Sequence, residues 1–235
     1  MFNVNDVKPK SNAVKTSYPH LETGTYGARI VQVIGLGVQE RPAYKGEAKP
    51  PAPFIRITFE LPYETIDRQM EDGTTEKQPR WLSKEMVFSG SDMSTCVKWL
   101  NKIDPTNELG GDWANTIGKE LQVYVTATQG KKDPTKYYND VKDVLSVPRG
   151  MTIPDIYAPE KKMVFSTRHV TDKTVEQFNS MPKWLQEKIT GAIDFPNSPL
   201  EKAMSGTTVA TPPPAPEQPV LTENTSTSVD DDPWG

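Results

Sequence analysis

Two segments of this chain set cations beside tyrosine. One reads Arg41-Pro42-Ala43-Tyr44-Lys45-Gly46-Glu47-Ala48-Lys49-Pro50. The other reads Gly130-Lys131-Lys132-Asp133-Pro134-Thr135-Lys136-Tyr137-Tyr138. Cations track phosphates, and aromatic faces stack bases at about 1–3 kcal/mol each. That combination holds a single nucleic-acid strand without reading its sequence. Arg56, Arg80, Phe54 and Tyr124 extend the set from neighbouring strands. The candidate phosphate contacts are Lys45, Lys49, Arg56, Arg80, Lys131, Lys132 and Lys136. The candidate stacking residues are Tyr44, Phe54, Tyr124, Tyr137 and Tyr138. The same residue types also suit a plain surface, and tyrosine often packs over a barrel end.

Signatures of catalysis are missing. Gly35-Leu36-Gly37 begins a GxG but lacks the third glycine and a following helix. Gly110-Gly111-Asp112 precedes no Walker lysine, and there is no GxSxG or HExxH. A lone Cys96 excludes an internal disulfide framework and a Cys-rich zinc site. His20 and His169 leave few ligands for a transition metal. Asp230, Asp231 and Asp232 form a one-segment cluster without the geometry of a metal cage. The expectation is a non-enzyme with no catalytic residue, metal or cofactor. No apolar run approaches the roughly 18 residues of a membrane span. Met1-Phe2-Asn3-Val4 does not open a basic-then-apolar leader.

Five strands must position the candidates. Gly24–Val38 is rich in β-branched residues. Phe54–Leu61 alternates, with Ile55, Ile57, Phe59 and Leu61 on one face and Phe54, Arg56, Thr58 and Glu60 on the other. Pro79–Phe88 is a third strand of ambiguous phase, so Trp81 fits either core or platform. Lys119–Thr128 alternates with Tyr124 outward. Tyr137–Val147 is expected to turn Val141, Leu145 and Val147 inward. A helix capped by Ser91 follows the third strand and stops at Asp104-Pro105. Thr171 and Pro182 open two more. Trp99, Trp113 and Trp184 sit in helical or turn contexts and read as packing. Five strands with a helix between the third and fourth is the order of the OB-fold barrel, whose groove binds single-stranded nucleic acid. The fold expectation is therefore mainly β, a five-stranded OB-fold barrel with short C-terminal helices. It divides into a loose segment 1–20, the barrel 21–150, a helical extension 151–195 packed on it, and a tail 196–235.

Proline makes up 22 of 235 residues, well above the usual ~5%, and clusters in the tail. With Ser, Thr, Asn and Glu around it, this segment cannot offset the entropy of ordering and is expected to be disordered. In it, Lys202 stands against Glu201, Glu217, Glu223, Asp230, Asp231 and Asp232. The tail thus carries −5 of the formal net charge of −4, which leaves the body at +1. The acidity belongs to the tail, so total charge neither supports nor excludes nucleic acid.

The tail closes on Asp230-Asp231-Asp232-Pro233-Trp234, with Gly235 after the aromatic. This resembles the acidic tip of bacterial single-stranded-DNA-binding proteins. The layout of the body, with the stretch Met181-Pro182-Lys183-Trp184-Leu185-Gln186-Glu187-Lys188-Ile189, resembles single-stranded-DNA-binding proteins of tailed bacteriophages. The resemblance implies a protein that coats single-stranded DNA during replication or recombination, in the cytoplasm of an infected bacterial host. It implies a tip that recruits replication or recombination proteins, and self-association on DNA; with no apolar span in the chain, no membrane partner is expected. The tail is further expected to compete with DNA in cis. Two rivals remain open: a protein-interaction or structural phage barrel that never meets DNA, and a DNA-processing enzyme.

Overall fold

The structure, a computed structural model, describes residues 19–206 apart from Lys45, Glu71 and the side chain of Tyr44. Lys45, the Tyr44 side chain and the tip Asp230–Trp234 therefore lie outside the described residues. Strands β1 (Gly24–Tyr44), β2 (Glu47–Gln69) and β3 (Thr75–Val87) are followed by helix α1 (Thr95–Ile103). Then come β4 (Glu120–Gln129), β5 (Tyr137–Leu145), the short β6 (Met163–Phe165), and helices α2 (Thr174–Ser180), α3 (Lys183–Thr190) and α4 (Pro199–Met204). The five main strands form one antiparallel sheet in the order β3-β2-β1-β4-β5. It curls into an open half-barrel. β1 is the central strand: residues 24–29 pair with β4, and from Gln32 to Ile34 the parallel β6 pairs with it.

Alternation on β2 sets which face is concave and buried. Ile55, Ile57, Phe59 and Leu61 point inward and are buried with Ile30, Leu121, Val123, Val125 and Val141. Full burial stabilises each such side chain by about 1.5–3 kcal/mol. α1 packs Cys96, Trp99 and Leu100 into the same core, Trp99 edge-on to Phe59 at 6.2 Å. Its N-cap is Ser94 rather than Ser91: the Ser94 hydroxyl accepts the Val97 N–H at 3.1 Å. On β5 the expected phase fails beyond Val141. Tyr124 faces Asp143 while Val125 faces Val141, so Lys142 is a bulged extra residue. A bulge resets alternation, which turns Val144 inward and leaves Leu145 exposed.

A second core lies on the outer face of β1. Ile34, Leu36 and Phe165 meet Phe178, Leu185, Ile189 and Leu200 from α2, α3 and α4. The contact is close at Gly37, whose φ of +73° suits glycine and whose added Cβ would come within 2.7 Å of both Ala192 and Asp194. Asp194 Oδ1 there accepts the Val38 N–H at 2.6 Å. Leu200 is fully buried in this core. The ordered extension thus runs through α4, past the expected boundary at 195. The reason is local: Ser198 caps the helix by accepting the Glu201 N–H, Pro199 starts it, and Leu200 supplies an apolar anchor.

β3 and β5 face each other across an open seam. Lys84 Nζ meets Asp140 Oδ1 there at 2.7 Å. Residues 19–21 cross the same gap, with Leu21 bound to Asn139 of β5 and Arg80 of β3 bound to the Pro19 carbonyl.

Candidate nucleic-acid interface

The second core covers only part of the sheet's outer face. The part carried by β2 and β3 is the floor of a cleft of about 1310 Å³. Cross-strand pairs of β2 and β3 build that floor, Thr58 beside Ser83 and Glu60 beside Trp81, and Arg56 continues it along β2. α2 and α3 form one wall with Gln177, Met181 and Trp184. Tyr157, Lys161 and Lys162 stand at one end, and His20, Tyr137 and Tyr138 at the opposite rim. A smaller concavity of about 450 Å³ continues it past Arg68, Gln78 and Lys161.

Six basic side chains line the cleft (Arg56, Arg68, Arg80, Lys161, Lys162, Lys173) against three acidic ones, Glu60, Glu160 and Glu176. The local balance is therefore more positive than the near-neutral body. Its acids are partly engaged within the fold. Glu60 is only 1% exposed. Its Oε2 accepts the Trp81 indole N–H at 2.9 Å and its Oε1 accepts the Tyr157 backbone N–H at 2.7 Å. One carboxylate thus fixes two aromatic residues of the floor and end wall. The Tyr157 hydroxyl donates to Glu76, which holds the Glu76 carboxyl below its ordinary range and pushes the phenol up. Arg56 Nη1 lies 3.1 Å from Glu85 Oε1, and Lys188 pairs with the same carboxylate. The Arg56 guanidinium sits 4.9 Å from the centre of the Trp184 ring, a cation–π contact.

Of the residues expected from sequence, Arg56, Arg80, Tyr137 and Tyr138 line this cleft. Arg80 is buried, its guanidinium donating to the Pro19 carbonyl. Tyr138 is 61% exposed. Phe54 is half-buried against the second core. Tyr124 is exposed on β4, away from the cleft lining. Lys131 and Lys132 are exposed in the β4–β5 loop, next along the chain to the tyrosine rim but outside the lining. Lys136 pairs with Asp133 at 3.2 Å, and Lys49 lies opposite Arg41 on the β1–β2 arm.

The structure adds Trp184, Tyr157, Lys161, Lys162, Lys173 and Arg68, and it settles the phase of Trp81 as outward. Trp99 and Trp113 are buried packing residues, but Trp184 is 49% exposed. A signal for this was present. Leu185 and Ile189 mark the buried face of α3, and a residue one position earlier lies about 100° round the helix.

Among the described residues, no group of three or more His, Cys, Asp or Glu could hold a metal ion. No helix there is long and apolar enough to cross a membrane. No family model matches the chain, and neither the curated proteins nor the solved structures provide a match.

Proposed function

We propose that this chain binds single-stranded DNA, without sequence preference, in the cleft between the outer face of β2–β3 and the C-terminal helices. The observation that carries the reading is that Trp81, Tyr137, Tyr138, Tyr157 and Trp184 line one cleft together with Arg56, Arg68, Lys161, Lys162 and Lys173. Stacking is indifferent to base identity, and cations meet the backbone alone. We read the curled sheet as an OB-fold opened at the β3–β5 seam, because its strand order and the helix before β4 fit that topology. In this reading the protein coats exposed strands of phage DNA in replication or recombination. The acidic segment beyond residue 206 would compete for the cleft and offer its tip to partner proteins.

Titration of a fluorescent dT oligomer at several salt concentrations tests the function. Binding should weaken with salt, with a log–log slope of about −0.7 per phosphate contact. An unbound oligomer would favour the protein-interaction barrel, and metal-dependent cleavage would favour a DNA-processing enzyme.

A further inference from the structure

The strap across the seam sets a ring on the face of Tyr137. Asn139 holds Leu21 by both backbone groups, accepting its N–H at 2.9 Å and donating to its carbonyl at 2.8 Å. The Leu21 side chain is buried in the first core. Arg80 holds the Pro19 carbonyl from the other side of the seam. Between these anchors His20 is exposed, and it lies flat on Tyr137: the ring centroids are 4.2 Å apart and the planes differ by 13°. Both rings face the cleft.

We propose that Tyr137 is a base-stacking subsite, and that His20 occupies it in the unbound protein and is displaced by a nucleobase of the incoming strand. The inference rests on the single-stranded-DNA reading of the cleft. Three observations support it. The strap is anchored through Pro19 and Leu21, so the imidazole can swing away while the backbone stays. The stack lies on the rim of the cleft, within reach of a bound strand. A small exposed ring pair is also worth less than base–aromatic stacking, so the exchange runs toward the base. Either a purine or a pyrimidine fits, since the face of Tyr137 offers no hydrogen-bond pattern to read.

The chain has two histidines, so proton NMR of the full-length protein resolves the question. In the free protein the His20 ring protons should be shifted by the Tyr137 ring current, and Tyr137→Leu should abolish that shift. His169, exposed ahead of α2, serves as internal reference. Saturation with a dT oligomer should move the His20 signals to their Tyr137→Leu position. His20→Ala, which keeps both anchors of the strap, should bind the oligomer about two- to tenfold more tightly by removing the competitor. His20 signals that keep their ring-current shift in a saturated complex would overturn the proposal. So would a His20→Ala protein that binds equally or more weakly. A wild-type chain that binds no oligomer would overturn the functional reading, and the displacement with it.

Discussion

Trp184 and Leu185 are adjacent on α3 and should report on different things. Trp184 is 49% exposed over the cleft, with Arg56 beneath it, while Leu185 is 4% exposed in the second core. Replacing Trp184 with Leu keeps an apolar contact on the helix side but removes the broad face turned to the cleft. A base stack is worth about 1–3 kcal/mol, so affinity for a dT oligomer should fall about 5- to 140-fold at 1.4 kcal/mol per decade. Stability should change by about 1 kcal/mol or less, because Trp184 is half exposed and leucine retains apolar contact at the same position. The cation–π contact with Arg56 accounts for about 0.5–1 kcal/mol. Leu185→Ala should do the opposite. It empties a packed site at a cost of about 2–5 kcal/mol while the folded fraction binds as wild type. Urea denaturation and fluorescence titration of both variants provide the comparison. If Trp184→Leu lost about 2 kcal/mol or more of stability and bound DNA normally, Trp184 would be a packing residue, and the cleft would lose its wall platform.

Replacing Lys161 and Lys162 together with Ala should flatten the salt dependence by about 0.7 in slope for each phosphate that is no longer neutralised. The Lys131→Ala, Lys132→Ala pair should flatten it less, and the reverse ranking would move the strand onto the β4–β5 loop. Asp194 feels burial, which raises its pKa, but the Val38 N–H and Arg168 outweigh it, and the net direction is down. A lowered folded value contributes stability above the unfolded pKa and loses it as pH falls through the folded one. Wild type should therefore lose more stability than Asp194→Asn between pH 6 and pH values below the usual carboxylate range. Equal losses in acid denaturation scans would remove Asp194 as the pin between β1 and the helices. Deleting residues 207–235 takes away five acids and no base. It should tighten DNA binding, most at low salt where screening is weakest. An unchanged affinity at low salt would end the competition idea and leave partner recruitment standing.

The strands were legible because alternation is a local pattern that burial of one face imposes. Phe54–Leu61 needed no knowledge of its partners. Trp81 did, since its phase is set by pairing with Glu60 across the hairpin. The bulge at Lys142 leaves no mark in composition, so strict alternation puts Leu145 on the wrong face. The loops are conspicuous for cations and tyrosines, but the cleft draws most of its positive charge from Lys161, Lys162, Lys173 and Arg68. Pairing of β6 with β1 brings Lys161 and Lys162 beside β2 and β3, and docking of the helices onto β1 brings Lys173. That docking depends on contacts such as Asp194 with Val38, 156 residues apart. Nothing in either segment alone announces the other. Trp184 shows the same limit, since a helix face is informative only once the surface it meets is known.

The bonds between Leu21 and Asn139 join residues 118 positions apart. Such a contact gives nothing until the intervening chain has been ordered, because closing so long a loop must first be offset by other structure. The β1–β2–β3 meander can assemble while the chain emerges from the ribosome, whereas the strap has no partner until β5 has been made. Its closure is therefore a late step in folding. The Leu21 amide, which stays unbonded until then, should gain its hydrogen-exchange protection after the amides of β2.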